Sequence, residues 1–186
     1  MSLDQITADA TRRMGQAVEK VSEDFQTIRT GRANPQILNK VLVDYYGSPT
    51  PLQQLANFSV PEPRILIVNP FDKGSMNAVE KAIRDADLGL NPANDGAVIR
   101  CVFPELTEER RKDYIKIAKT AAEDGKVAIR NVRRNARDAM QKLEDDGEVG
   151  KDEHERYAKK LEELTAEHVA RVDKGLEQKE RELLEV

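Results

Sequence analysis

The stretch LTEERRKDYIKIAKTAAEDGKVAIRNVRRNARDAMQKLED, residues 106–145, decides the architecture of this 186-residue chain. Apolar or small residues recur at Ile115, Ala118, Ala122, Gly125, Ile129, Val132, Ala136, Met140 and Leu143. Steps of three and four keep one stripe on one face of a helix and exclude a strand. At ~1.5 Å per residue the helix is about 58 Å long, more than one small core covers, so part of it is expected to project as a rod. Thr107 is a good N-cap, and Glu108 and Glu109 put negative charge at the positive end of the helix dipole.

The same stretch carries an uneven charge. Residues 107–143 hold 11 bases against 6 acids, and residues 126–137 hold five bases and no acid, whereas residues 144–186 hold 15 acids against 8 bases. At ~100° per residue, Lys112, Lys119, Lys126, Arg130, Arg133 and Arg137 share a flank beside the apolar stripe. Arg134 and Lys116 border that flank, and Asp113, Asp124 and Asp138 fall opposite. An overall charge of -4 therefore hides a basic face suited to a polyanion. Arginine dominates its dense part, and a planar guanidinium binds phosphate through two parallel bonds and stacks on bases, which suits folded RNA. The pattern fits equally a solvated face making salt bridges to the acidic helix that follows.

Working outward, Asp145-Asp146-Gly147 and Gly150 break the central helix. A third long helix follows from about Lys151 to Leu184, with Tyr157, Leu161, Leu164, His168, Val172, Leu176 and Leu183 along its seam. Upstream, Ser2 and Gln5 have the spacing of a capping box, and Leu3, Ile6, Ala10, Met14, Ala17, Val21, Phe25 and Ile28 hold one face of a first helix. That helix is expected to stop at Thr30-Gly31, with Pro35 preventing its resumption. Three long amphipathic helices, two joined by a short loop, make an antiparallel bundle.

Between the first two helices the composition changes. All eight prolines lie at 35, 49, 51, 61, 63, 70, 92 and 104. Val41–Tyr46, Asn57–Val60, Arg64–Asn69 and Ala97–Phe103 read as strands, Gly47-Ser48-Pro49 as a turn, and Ser75 as the cap of a short helix carrying Val79, Ile83 and Ala86. The fold class is therefore α+β, with an inserted domain over residues 31–104 and a bundle of residues 1–30 plus 105–186. The crossings near 31–35 and 103–106, which include Thr30, Gly31, Arg32, Pro35, Pro104 and Glu105, form a hinge or a stiff elbow.

Composition excludes several function classes. One cysteine and two histidines, His154 and His168, allow neither a disulfide framework nor a Cys/His zinc site. No apolar run reaches the ~18 residues of a membrane span, and residues 1–4 lack the pattern of a signal peptide, so a cytoplasmic location is expected. Glycine-rich phosphate loops, a nucleophile elbow and HExxH are absent, which leaves enzyme readings without support. Cys101 and both histidines read as structural. Tyr45 and Tyr46 are expected on opposite sides of a strand, the exposed one a candidate partner contact.

Six segments carry a resemblance: Ile28-Arg29-Thr30-Gly31-Arg32-Ala33-Asn34-Pro35, Tyr45-Tyr46-Gly47-Ser48-Pro49-Thr50-Pro51-Leu52, Val79-Glu80-Lys81-Ala82-Ile83, Asp87-Leu88-Gly89-Leu90-Asn91-Pro92, Leu106-Thr107-Glu108-Glu109-Arg110-Arg111-Lys112 and Arg130-Asn131-Val132-Arg133-Arg134. In this order and spacing the chain resembles the bacterial ribosome recycling factor family. The resemblance implies an L-shaped, monomeric protein whose three-helix bundle bears a small β/α/β domain on a hinge. It also implies a translation factor, not an enzyme, that has no cofactor of its own. Such factors bind the 70S ribosome after termination and split it together with elongation factor G, which hydrolyses GTP. By the same similarity Arg133 leads the contacts to large-subunit ribosomal RNA, supported by Arg130, Arg134, Arg110, Arg111, Arg29 and Arg32, with Arg137 as an added base. A coiled-coil adaptor that binds protein through its helical seam is the competing class.

Overall fold

The computed structural model describes residues 1–185. The helices are α1 (Leu3–Gln26), α2 (Met76–Asp85), α3 (Glu108–Asp145) and α4 (Lys151–Leu184), and the strands are β1 (Leu42–Tyr45), β2 (Ser48–Pro51), β3 (Ala56–Glu62), β4 (Ile65–Pro70), β5 (Asn91–Asn94) and β6 (Ile99–Val102). The chain divides into two compact units. One joins Met1–Phe25 to Lys116–Glu180; the other joins Gln26–Ile115 to the residues from Arg181 on.

The first unit is a bundle of α1, α3 and α4. The spacing read from the central stretch places Ala118, Ala122, Gly125, Ile129, Val132, Ala136, Met140 and Leu143 inside it. They meet Leu3, Ile6, Ala10, Met14, Val21 and Phe25 of α1 and Leu161, Thr165, His168 and Val172 of α4. Each fully buried aliphatic side chain of this kind contributes ~1.5–3 kcal/mol. Direction follows from cross-helix pairs. Val21 lies against Gly125, and Ile6 and Ala10 share a groove with Val132 and Ala136, so α1 and α3 are antiparallel. Phe25 packs on Gly175 and the Tyr157 hydroxyl donates to Asp4 at 2.6 Å, so α4 runs parallel to α1.

The caps follow local chemistry. Ser2 N–H donates to Gln5 Oε1 at 2.9 Å and Gln5 N–H to Ser2 Oγ at 3.2 Å, a reciprocal capping box. Arg110 N–H donates to Thr107 Oγ1 at 3.1 Å and opens α3. At its other end Glu148 N–H reaches Leu143 O and Gly147 N–H reaches Glu144 O, both at 2.9 Å, with Gly147 at φ 75°, the left-handed position such a termination requires.

The second unit holds α2 and two antiparallel sheets, β1–β2 and β3–β4–β6–β5. Alternation along β4 and β6 sends Leu66, Val68, Ile99 and Cys101 into a core with Val43, Leu52, Met76, Val79, Ile83 and Phe103.

Several details depart from the sequence reading. Helix α1 ends at Gln26, four residues before Thr30, and Ile28 and Arg29 are buried in the non-helical chain that follows it. Ser48-Pro49 is strand as well as turn, since Thr50 and Ser48 pair with Val43 and Tyr45, and Asn91–Asn94 is a strand against β6. Asp72, not Ser75, supplies the capping side chain before α2. Its Oδ1 accepts from Gly74 N–H at 2.8 Å, while the Ser75 hydroxyl turns back to Asp72 O.

Candidate nucleic-acid interface

The proposed contact residues fall in both units. Arg130, Arg133, Arg134 and Arg137 lie on α3 in the first, and Arg29, Arg32, Arg110 and Arg111 lie in the second. The α3 flank divides by its distance from the apolar stripe. The bases nearest the stripe reach across to α4: Lys126 to Asp173 at 2.6 Å, Arg133 to Glu162 at 3.7 Å and Lys119 to Glu180 at 3.8 Å. The solvated-face alternative is thus present in fact, but weakly. Only the Lys126–Asp173 pair has hydrogen-bond length, and exposed ion pairs contribute ~0–1 kcal/mol each.

Further round the helix the bases face outward. Arg130 meets Glu123 of its own helix at 3.2 Å, and Arg137 approaches Asp138 only at 3.9 Å. Arg134 is exposed and has no ion-pair partner among the described residues. The i, i+3, i+4, i+7 set Arg130, Arg133, Arg134 and Arg137 therefore forms one guanidinium surface about two turns long, balanced by acids at its edges.

The second group behaves differently. Arg29 is 8% exposed; its guanidinium donates to Pro104 O and to Gly89 O, the latter at 3.4 Å, and lies over the Phe103 ring at 5.9 Å. Burial lowers its pKa, and Arg110 nearby lowers it further, while the Tyr114 hydroxyl beside it raises it; it remains charged at physiological pH. Its Nε is buried without a hydrogen-bond partner among the described residues, as is Arg111 Nε. Arg29 thus braces the chain after α1 to the chain before α3. Arg32 and Arg110 are exposed, and the Thr30 hydroxyl lies 3.4 Å from Arg32 N. Among the other hinge residues, Glu105 pairs with Arg64 at 3.0 Å.

The tyrosines are also placed differently from the strand reading. Tyr46 sits beyond the end of β1 in a two-residue turn, at φ 50° with Gly47 at 85°, so its ring swings to the side of Tyr45. The rings meet edge to face at 4.7 Å, and both hydroxyls donate to Asp72 Oδ2, at 3.1 and 3.0 Å. Asp72 is held below the usual carboxylate range, chiefly by Gly74 N–H and then by the two phenols. Tyr46 remains 78% exposed. Nothing in the local sequence marks Asp72 as their shared partner.

No group of His, Cys, Asp and Glu able to hold a metal occurs among the described residues, and no helix there is long and apolar enough to cross a membrane. Cys101 is buried, and desolvation followed by Glu80 pushes its thiol up to about 11.

The model of the family described as ribosome recycling factor matches residues 4–184. The chain belongs to the ribosome recycling factor family. Ribosome-recycling factors of Streptomyces avermitilis and Cutibacterium acnes are 59% and 56% identical to it over 184 residues, 99% of this chain and the whole of each relative. Among solved structures, a ribosome recycling factor in solution is similar with a TM-score of 0.80 at 36% identity, covering 100% of this chain and 99% of that one. The T. thermophilus ribosome recycling factor, placed with E. coli elongation factor G on the E. coli post-termination complex, is similar with a TM-score of 0.70 at 42% identity over all of both chains. Ribosome recycling factors thus share this combination of helical bundle and small α+β unit.

Proposed function

We propose that this chain splits post-termination ribosomes into subunits with elongation factor G and GTP, binding large-subunit ribosomal RNA through the basic face of the bundle, centred on the arginines of α3. The observation that carries the reading is Arg130, Arg133, Arg134 and Arg137 on one surface of an acidic protein, their carboxylate partners weakly held. Phosphates offer such guanidinium groups shorter, bidentate bonds than these carboxylates do. Arg32, Arg110 and Arg111 extend the set, whereas the buried Arg29 supports it from within. GTP is consumed by elongation factor G, and this chain needs no cofactor.

The insertion over residues 31–104 is the part on which elongation factor G acts, turning on the crossings near 31–35 and 103–106, with Tyr46 as a contact for a protein partner. It works as a monomer in the cytoplasm.

A subunit-splitting assay with the purified chain, run with and without elongation factor G and GTP, tests the function. Splitting only with both present is the expected result; turnover of a substrate by the chain alone would revive an enzyme reading. Cosedimentation with large subunits at rising salt tests the surface, since phosphate contacts weaken steeply with salt and a protein-binding helical seam does not. Crosslinking the 31–35 segment to Glu105 is expected to spare binding and abolish splitting.

A further inference from the structure

A sheet edge left unpaired invites another strand, and proline is one way chains close it, because proline has no N–H to offer. Two sheets give the second unit four edges. β2 carries Pro49 and Pro51, β3 carries Pro61 beside a register shift between Ser59 and Glu62, and β5 carries Pro92. β1, Leu42–Tyr45, carries none.

The hydrogen-bonding alternation shows what β1 exposes. Val41 O accepts from Leu52 N–H at 3.0 Å, so Val41, Val43 and Tyr45 turn their backbone groups toward β2. Leu42 and Asp44 stand opposite Pro51 and Pro49, which cannot donate, and turn their N–H and C=O groups away from β2. Beside them runs a cavity of about 690 Å³, lined by Val41, Leu42 and Asp44 on the strand side and by Ala78, Lys81 and Ala82 of α2 on the other. Sites that bury a specific ligand span ~300–1,000 Å³. A strand edge and a helix flanking an apolar groove together offer backbone pairing for affinity and side-chain seats for selectivity, as strand-adding peptides require. Lys40 and Lys81 against Asp44 and Asp85 give the lining two charges of each sign, so net charge does not select the occupant.

We propose that the free edge of β1 and the groove beside it receive an extended peptide segment of a protein partner, which pairs as an added strand with Leu42 and Asp44 and seats alternate small apolar side chains against Val41, Ala78 and Ala82. Leu42, 59% exposed, is the side chain such a segment would cover.

The test uses the full chain, labelled for amide NMR, with capped synthetic heptapeptides alternating valine and threonine as the probe. Binding is expected to shift the Leu42, Asp44, Ala78 and Ala82 amides and to slow exchange at Leu42 and Asp44. N-methylating the peptide amides of one parity weakens binding at least about tenfold, or ~1.4 kcal/mol, while methylating the other parity leaves it unchanged. Leu42→Pro, which closes β1 as the other edges are closed, abolishes the shifts; the N-methyl comparison uses the unaltered protein and decides the matter even if that variant fails to fold. Absence of shifts up to about 1 mM peptide, equal effects of both methylation patterns, or shifts elsewhere would overturn the proposal. So would concentration-dependent dimerisation that protects the same amides without peptide, which would give the edge to a second copy of the chain.

Discussion

Replacing Gly125 by alanine tests how closely α1 and α3 pack. A Cβ built at Gly125 lies 2.1 Å from Val21 Cγ2, 3.6 Å from Val21 Cβ and 4.0 Å from Ala17 O. Carbon atoms rest at ~3.5–4.0 Å, so either the helices separate locally by about 1.5 Å or Val21 moves. Val21 is buried, and a helical valine has essentially one χ1 rotamer, so it cannot swing aside. Overpacking of this kind costs ~1–3 kcal/mol, and alanine returns up to ~1 kcal/mol of helix propensity. The expected net loss is about 1–2 kcal/mol. Val21→Ala alone removes two methyl groups and costs ~1.6 kcal/mol or more. In the double variant the new methyl occupies the vacated space, so the two costs should fail to add by about 1–2 kcal/mol. Urea unfolding followed by helical circular dichroism, with slopes compared across the four proteins, measures this cycle. A Gly125→Ala protein as stable as the parent, or additive costs in the double variant, would refute the close approach.

Arg29→Ala is expected to cost ~1.5–3 kcal/mol, the range for hydrogen bonds made by a charged group, whereas exposed Arg134→Ala should stay within ~0.5 kcal/mol in stability and weaken ribosome binding. Denaturation and cosedimentation of both variants separate the two roles, and the reverse pattern would contradict the placement of Arg29. Cys101 should resist thiol reagents at pH 8 until the chain unfolds, because its thiol is pushed up to about 11 by burial; rapid labelling of the native protein would show otherwise. Asp72 has a lowered folded pKa, so its contribution to holding Tyr45 and Tyr46 is complete above the unfolded value of ~3.9 and is lost as pH falls through the folded value. A carboxyl titration by NMR should find its midpoint below ~3.9, with the Tyr46 ring signals moving in step; a higher midpoint would contradict the hydrogen-bond arrangement.

Long elements were legible because a helix repeats its instruction many times: nine apolar positions in α3 and a capping pair at Ser2 and Gln5 left few alternatives. Short strands repeat theirs twice at most. β2 and β5, four residues each and proline-bearing, exist because β1 and β6 supply their partners from elsewhere in the chain. The same limit applies to the candidate site. Arg29 and Arg134 are alike as residues, yet Arg29 is buried against the Gly89 and Pro104 carbonyls, 60 and 75 positions away, and Arg134 is exposed. Helical projection gathered the α3 flank onto one surface, but it could not tell which bases meet α4, because that depends on how the two helices approach. Both tyrosines turned on Asp72, 26 residues downstream of Tyr46.

The carboxylates of α4 that face Lys119, Lys126 and Arg133 act as tethered counter-ions. Under the proposed function, a cation that meets a phosphate first leaves a carboxylate of its own protein, while the ions condensed on the RNA are still released to the solution. That release still favours binding, but the internal ion pairs given up offset part of it, so the net affinity is lower than a tally of basic residues implies. In the proposed complex Glu162, Asp173 and Glu180, carried on the neighbouring helix, compete with phosphate for the same cations. For the proposed RNA complex, that competition favours brief occupancy over permanent attachment.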